Sequence, residues 1–215
     1  MKYTASLVKL NIDERLALKR KQALESGVPV ADDETLQFLL VTLATSKPTR
    51  ILEIGTAVGL SGVAMLLAQE NAKLTTIELE EDRHLEALKN FSEFGVSNRV
   101  TAYLGDAGEI LAMMDGEYDF VFLDGPKAQY EKYLFDLKRL MKKGAILFSD
   151  DVLLFGWVSG EEETPQKRRS IVEKIRSYLD VITADKDFLT SVINVGDGVA
   201  LSVYKPNQEQ KRGGV

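Results

Sequence analysis

An α/β architecture follows from the spacing of the apolar runs: a doubly wound sheet, mostly parallel, with an antiparallel C-terminal hairpin and an N-terminal helical extension. Three observations carry it. Short runs rich in Ile, Val, Leu and Phe recur at 50–54, 73–78, 99–104, 118–123 and 145–149. Helical patterns stand between them, at about 59–70, 82–94, 106–114 and 127–142. The strand runs are nearly continuous in apolar character rather than alternating, which is what a sheet covered on both faces requires.

The remaining elements frame this core. Two helices, about 6–26 and 32–46, precede the first strand. "SGVPVAD" separates them, with Gly27 and Pro29 as breakers. After the fifth strand, residues 166–180 place Ile171, Val172, Ile175, Tyr178 and Leu179 on one helical stripe. "FLTSVINVGDGVALSVYK" then reads as two strands joined through Gly196, Asp197 and Gly198. The expected organisation is one Rossmann-like domain: a helical extension over 1–47, the α/β unit over 48–205, and a flexible polar tail over 206–215.

Composition narrows the function classes. The chain has 215 residues, 45% hydrophobic and 28% charged, so it can bury a sizeable core. The absence of cysteine excludes a disulfide framework and thiolate metal sites, and fits a reducing compartment. No run approaches the roughly 20 apolar residues of a membrane span, so the expectation is a soluble, cytoplasmic protein. A net charge of −6 argues against a protein that coats nucleic acid. Two basic clusters stand out against it: Arg15, Lys19, Arg20 and Lys21, and Lys167, Arg168, Arg169, Lys174 and Arg176. Solvated helix faces account for such clusters as readily as a ligand does.

"RILEIGTAVGLSG" reads as a strand, a glycine turn and a helix start. Its spacing is G-x-x-x-G-x-x-G, which departs from the pyrophosphate fingerprint G-x-G-x-x-G. Glu53, two residues before Gly55, has the wrong sign for a pyrophosphate and the right one for an ammonium group. Glu78 ends the second strand, where an acid accepts ribose hydroxyls. Asp106 follows the third, although it serves equally well as a helix N-cap. A ligand with a cation, a ribose and an adenine but no phosphate fits all three positions. S-adenosylmethionine is that ligand.

"GAILFSDDVLLFG" sets two carboxylates, Asp150 and Asp151, side by side between apolar runs. Like charges at the edge of a core repel and resist desolvation unless something positive sits on them. Asp124 ends the neighbouring strand in "VFLDGPK", and adjacent strands lie about 4.8 Å apart. Three hard oxygen donors with no Cys and no nearby His describe a Mg²⁺-type site, so a divalent cation is expected there. The alternative is that Asp151 caps a turn and only Asp150 is buried. The lone His84 reads as a surface residue.

"LEIGTAVGLS", "IELEEDR", "GDA", "YDFVFLDGPKAQY" and "SDDVLLFGWV" together resemble class I S-adenosylmethionine-dependent methyltransferases. More narrowly they are similar to the metal-dependent O-methyltransferases that include the catechol and caffeoyl-CoA enzymes. The match runs in order over roughly 28–205. The resemblance implies cofactor contacts from Glu53, Gly55, Ser61, Glu78, Asp106, Ala107 and Asp124. It implies metal ligation by Asp124, Asp150 and Asp151, the last commonly Asn in that family, and a general base at Lys127. Pro126 replaces a second Asp found in many relatives. A homodimer is also implied, with the N-terminal helices as interface or lid.

For the acceptor, two readings compete. "TPQKRRSIVEKI", with "FLDGPKAQY", resembles the bacterial tRNA 5-hydroxyuridine methyltransferases, which act at the wobble position. Lys167, Arg168, Arg169 and Arg176 would then contact phosphates. The other reading is a catechol-like or phenolic small molecule stacked on Phe155 and Trp157, although these rings serve equally well to stack on a base or to pack into the core. The tRNA reading is favoured here because it gives the basic helix a use. A binding-only protein is disfavoured by the intact Asp124, Lys127, Asp150 and Asp151 set, and a dehydrogenase by the glycine spacing and Glu53.

Overall fold

The computed structural model describes residue 3 and residues 5–206; most of the expected tail, 207–215, lies outside the described residues. Seven strands form one sheet: β1 (Arg50–Ile54), β2 (Lys73–Glu78), β3 (Val100–Leu104), β4 (Tyr118–Leu123), β5 (Met141–Ser149), β6 (Phe188–Ile193) and β7 (Val199–Tyr204). Their order is β3-β2-β1-β4-β5-β7-β6. The first five are parallel, and β7 runs antiparallel to both β5 and β6. β1 pairs with β2 on one side and β4 on the other, so the winding reverses between β1 and β4. In such sheets ligands bind at that reversal, outside the carboxyl ends of the strands.

The helices are α1 (Glu14–Glu25), α2 (Asp33–Ser46), α3 (Leu60–Ala68), α4 (Glu81–Glu93), α5 (Ala107–Met113), α6 (Tyr130–Leu140) and α7 (Arg169–Ala184). They cover both faces because successive strand residues point to opposite sides. Along β4, Phe120 and Phe122 enter a core shared with α2, α3 and α4, whereas Val121 and Leu123 enter one shared with α5, α6 and α7. Phe148 of β5 anchors the first core, its ring centroid 5.6 Å from that of Phe38 and 5.7 Å from that of Phe122. Leu16 of α1 and Leu36, Leu39 and Leu43 of α2 are buried in the same core. The N-terminal extension is thereby packed onto the sheet.

Several boundaries depart from the sequence reading, each for a local reason. The first helix starts at Glu14 rather than near residue 6, because the Asp13 carboxylate accepts the Arg15 and Leu16 amides as an N-cap. Arg99 stays out of β3, its guanidinium donating to the carbonyls of Leu66, Gln69, Glu70 and Ala72 at the end of α3. β5 begins at Met141, with a register shift between Tyr118 and Phe120 that absorbs the polar stretch Lys142–Gly144. The helix expected over 127–142 opens as a 3₁₀ turn, Lys127–Gln129, and ends at Leu140. α7 starts three residues late, after a 3₁₀ turn at Gln166–Arg168, and runs on to Ala184. Among the described residues no helix is long and apolar enough to cross a membrane.

Candidate active site

The carboxyl ends of β1, β2, β3 and β4 open into one cleft of about 390 Å³, within the range of small-ligand sites. One end is lined by Leu79, Arg83, Asp106 and Tyr133, the other by Asp124, Lys127 and Asp151. Gly55 lies between. Its φ is +97°, and a Cβ there would stand 2.4 Å from the Asp124 carbonyl oxygen. Only glycine allows the β1 and β4 ends to approach so closely.

The expected cofactor residues divide. Gly55, Glu78, Asp106, Ala107 and Asp124 line the cleft; Ser61, half-buried in α3, does not. The Glu78 carboxylate accepts the backbone amides of Ala57, Leu79 and Glu80. A carboxylate offers about four acceptor positions, so one remains for a hydroxyl. Asp106 lines the cleft and caps α5 through the Glu109 amide.

Glu53 is fully buried and stands behind the glycine turn rather than in the cleft. The Thr76 hydroxyl donates to its Oε2 at 2.6 Å. Thr56 and Thr76 lie 2.5 Å apart, so Thr56 donates to Thr76 and the turn is tied to the acid. Oε1 has no partner. Burial, reinforced by Asp124 and Glu78, pushes the Glu53 carboxyl up to about 8. A neutral acid is the form such a site stabilises.

The metal-type residues converge as expected from β4 and β5, but in a particular state. Asp150 is buried, its Oδ1 accepting the Asp151 amide at 2.7 Å. Asp151 has φ of +55°, a left-handed conformation that Asp and Asn tolerate best among non-glycine residues. Lys127 Nζ stands 2.6 Å from Asp124 Oδ1 and 3.0 Å from Asp151 Oδ2. Burial and the neighbouring carboxylates of Asp124 and Asp151 push Asp150 well above the usual carboxylate range. Burial would lower Lys127, yet Asp124, Asp151 and Asp150 outweigh it and hold the ammonium well above its ordinary value. The donor set suits a hard divalent cation in chemistry. As folded, however, no group of three His, Cys, Asp or Glu side chains among the described residues is arranged to hold a metal ion. The ion pairs of this cluster run from Lys127 to Asp124 and to Asp151.

Beyond the metal-type residues, Phe155 is exposed and its ring centroid lies 5.0 Å from that of the half-buried Trp157. Lys167, Arg168 and Arg169 are exposed at the start of α7. Arg176 is not available in the same way: its guanidinium donates to the carbonyls of Trp157 and Val158. His84 is half-buried with an unpartnered, buried Nδ1, not a plain surface residue.

Sequence reasoning missed three contributors. Tyr130 is buried, with its hydroxyl 2.9 Å from the Leu123 carbonyl and 3.2 Å from that of Asp150, so it ties the two metal-type strand ends together. Its signal was present, because Tyr130, Tyr133, Leu134 and Leu137 repeat at helical spacing after Lys127. Tyr133 lines the cleft from the same stripe, and burial, with Asp106 nearby, raises its hydroxyl to about 12. Pro29 reaches the cleft from the α1–α2 linker, which no local pattern could reveal.

Known proteins resemble this chain in sequence and fold. Residues 8–205 match the model of the O-methyltransferase family. A caffeoyl-CoA O-methyltransferase of Populus kitakamiensis is 30% identical over 195 residues, 87% of this chain and 83% of that one. A catechol O-methyltransferase of Niastella koreensis is 28% identical, covering 90% and 91% of the two chains. The solved structure of the O-methyltransferase TomG from Streptomyces achromogenes, in complex with S-adenosylmethionine, superposes with a TM-score of 0.80 at 26% identity, covering 95% of each chain.

Proposed function

Since the chain belongs to the O-methyltransferase family and is an S-adenosylmethionine-dependent enzyme of the caffeoyl-CoA and catechol type, we propose that it methylates one of two adjacent oxygens on a catechol-like phenol, with a divalent cation held by Asp124, Asp150 and Asp151. The continuity of the cleft carries this reading. One wall runs from Leu79, Asp106 and Tyr133 to Asp124, Lys127 and Asp151. A nucleoside lying along it delivers its sulfonium end to the carboxylate cluster.

In the reaction the acceptor oxygen attacks the sulfonium methyl in line. An O–C bond forms, the S–C bond breaks, and S-adenosylhomocysteine leaves. A bound divalent cation supplies Lewis-acid polarisation that lowers the pKa of the acceptor hydroxyl. The chain itself supplies position: Glu78 and Asp106 hold the nucleoside end, Gly55 lets it close on the strand ends, and Phe155 with Trp157 offers a flat face to a ring. Lys127 Nζ is the candidate proton acceptor. It is an ammonium while Asp124 and Asp151 hold it, so it accepts the hydroxyl proton only after those partners are drawn away and it has released its own proton to solvent.

A second reading keeps the sequence expectation of tRNA 5-hydroxyuridine, whose O4 and O5 are also adjacent. The observation that favours it is the exposed cluster Lys167, Arg168 and Arg169, three cations placed against the dipole of the helix they introduce. A homodimer in the cytoplasm completes the proposal. The exposed Phe135 and Leu189 offer apolar area to a second copy.

Both acceptors are tested together by measuring label transferred from S-adenosyl[methyl-³H]methionine, with Mg²⁺, into a simple catechol and into tRNA carrying 5-hydroxyuridine. Label in the catechol, unchanged by charge reversal at Arg168 and Arg169, is the expected result. Label only in tRNA, lost on that charge reversal, would replace the first reading by the second.

A further inference from the structure

Two carboxylates at the ends of β4 and β5, Asp124 and Asp151, hold one cation in this structure, and it belongs to the chain. Lys127 Nζ bridges Asp124 Oδ1 at 2.6 Å and Asp151 Oδ2 at 3.0 Å, with only 12% of its side chain exposed. The ring of Tyr130 lies 5.5 Å away, a further partner for an ammonium. Asp150, beneath them, has turned one oxygen to the Asp151 amide. We infer that Lys127 is the resident counter-ion of this carboxylate cluster, and that a divalent cation binds by displacing its ammonium from Asp124 and Asp151. The inference rests on the metal reading of those aspartates and goes beyond it by giving Lys127 a role in metal binding.

The physical argument is one of exclusion. An ammonium and a divalent cation cannot share two carboxylate oxygens, because the two cations repel at that distance. Without either, three carboxylates at one rim repel each other, and burial of Asp150 makes the repulsion worse. Lys127 therefore keeps the cluster assembled and competes for it. Its place favours exchange. It stands in the 3₁₀ turn ahead of α6, on the cleft wall, and its flexible stem can swing into the cleft once its partners are taken. Asp151, where the resemblance leads one to expect Asn, gives the lysine its second ion pair.

Two measurements test this. Isothermal titration of the full chain with Mn²⁺, after treatment with chelator, is expected to give at least tenfold tighter binding in Lys127→Met than in the unsubstituted protein. The same variant should melt several degrees lower in EDTA and recover most of that loss with Mn²⁺. The second uses the unsubstituted chain, so it does not depend on the variant folding. Labelling of Lys127 by an amine-reactive acylating agent, read by mass spectrometry against the exposed Lys167, should be slow in EDTA and rise several-fold with Mn²⁺. Equal or weaker Mn²⁺ binding by a folded Lys127→Met, or labelling that Mn²⁺ leaves unchanged, overturns the displacement while leaving the metal reading in place. Absence of Mn²⁺ binding in both proteins overturns both.

Discussion

Glu53 sits in a place where the fold supplies one hydrogen-bond donor, Thr76, and no water-facing surface. Its carboxyl is raised from 4.5 to about 8, chiefly by burial. In the unfolded chain it ionises near its ordinary value, so unfolding between these two limits releases a proton. The associated stability is fully present below about pH 4.5 and is lost as pH rises through about 8. At about 1.36 kcal/mol per unit, the span corresponds to a loss on the order of 3–5 kcal/mol. Glu53→Gln keeps an acceptor for Thr76 and removes the ionisation. The variant and the unsubstituted protein should have similar urea midpoints at pH 5, and the variant should be more stable by at least about 1 kcal/mol at pH 8.5. Parallel pH profiles for the two proteins would contradict this account of Glu53. The sequence singled out this acid but not its direction: the Glu53 carboxylate turns toward α3, its Oε2 3.2 Å from where a Cβ on Gly62 would stand.

At the scale of elements, the strand ends do most of the positioning. Gly55 touches the β4 end, and its substitution is a test of that contact. Gly55→Ala places a Cβ against the Asp124 carbonyl and forces a side chain into a φ of +97°. A loss of about 2–5 kcal/mol is expected from overlap and backbone strain together, read by urea denaturation; a loss below about 0.5 kcal/mol would show that β1 and β4 separate freely here. Strands β1, β2 and β4 were legible residue by residue because each carries a short run of aliphatic, aromatic or β-branched residues and ends abruptly at Gly or an acid. The start of β5 was not, because Lys142, Lys143 and Gly144 interrupt its apolar run while its pairing to β4 continues across the register shift. The break before α1 was hidden by the apolar residues Leu7, Val8, Leu10 and Ile12, which look helical until Asp13 caps the real start. Long-range ties were invisible from sequence: Arg176 holding the Trp157 carbonyl, and Tyr130 bridging Leu123 and Asp150. Each depends on distances that no spacing along the chain encodes.

For the whole molecule, the reversal of winding between β1 and β4 fixes where chemistry can occur, and residues from four strand ends meet there. The order of the motifs along the chain made that meeting place readable, since acids at successive strand ends of a parallel sheet must share one rim. What the order could not give is the state of the rim. Three aspartates on one edge suggest a metal ion, and spacing did not reveal that Lys127 pairs with two of them, Asp124 and Asp151. The proposed metal-dependent transfer requires that the carboxylates be reachable, and Asp150→Ala removes the buried one of the three. The decisive measurement is the rate of methyl transfer from S-adenosylmethionine to a catechol, in Mg²⁺ and in EDTA, for the unsubstituted protein and for Asp150→Ala. Transfer that falls at least 100-fold in EDTA, with the variant at that low level in both buffers, is the predicted result. Full activity in Asp150→Ala, or transfer that EDTA leaves unchanged, would contradict the assignment of Asp124, Asp150 and Asp151 to a metal and leave Lys127 as the cation the reaction uses.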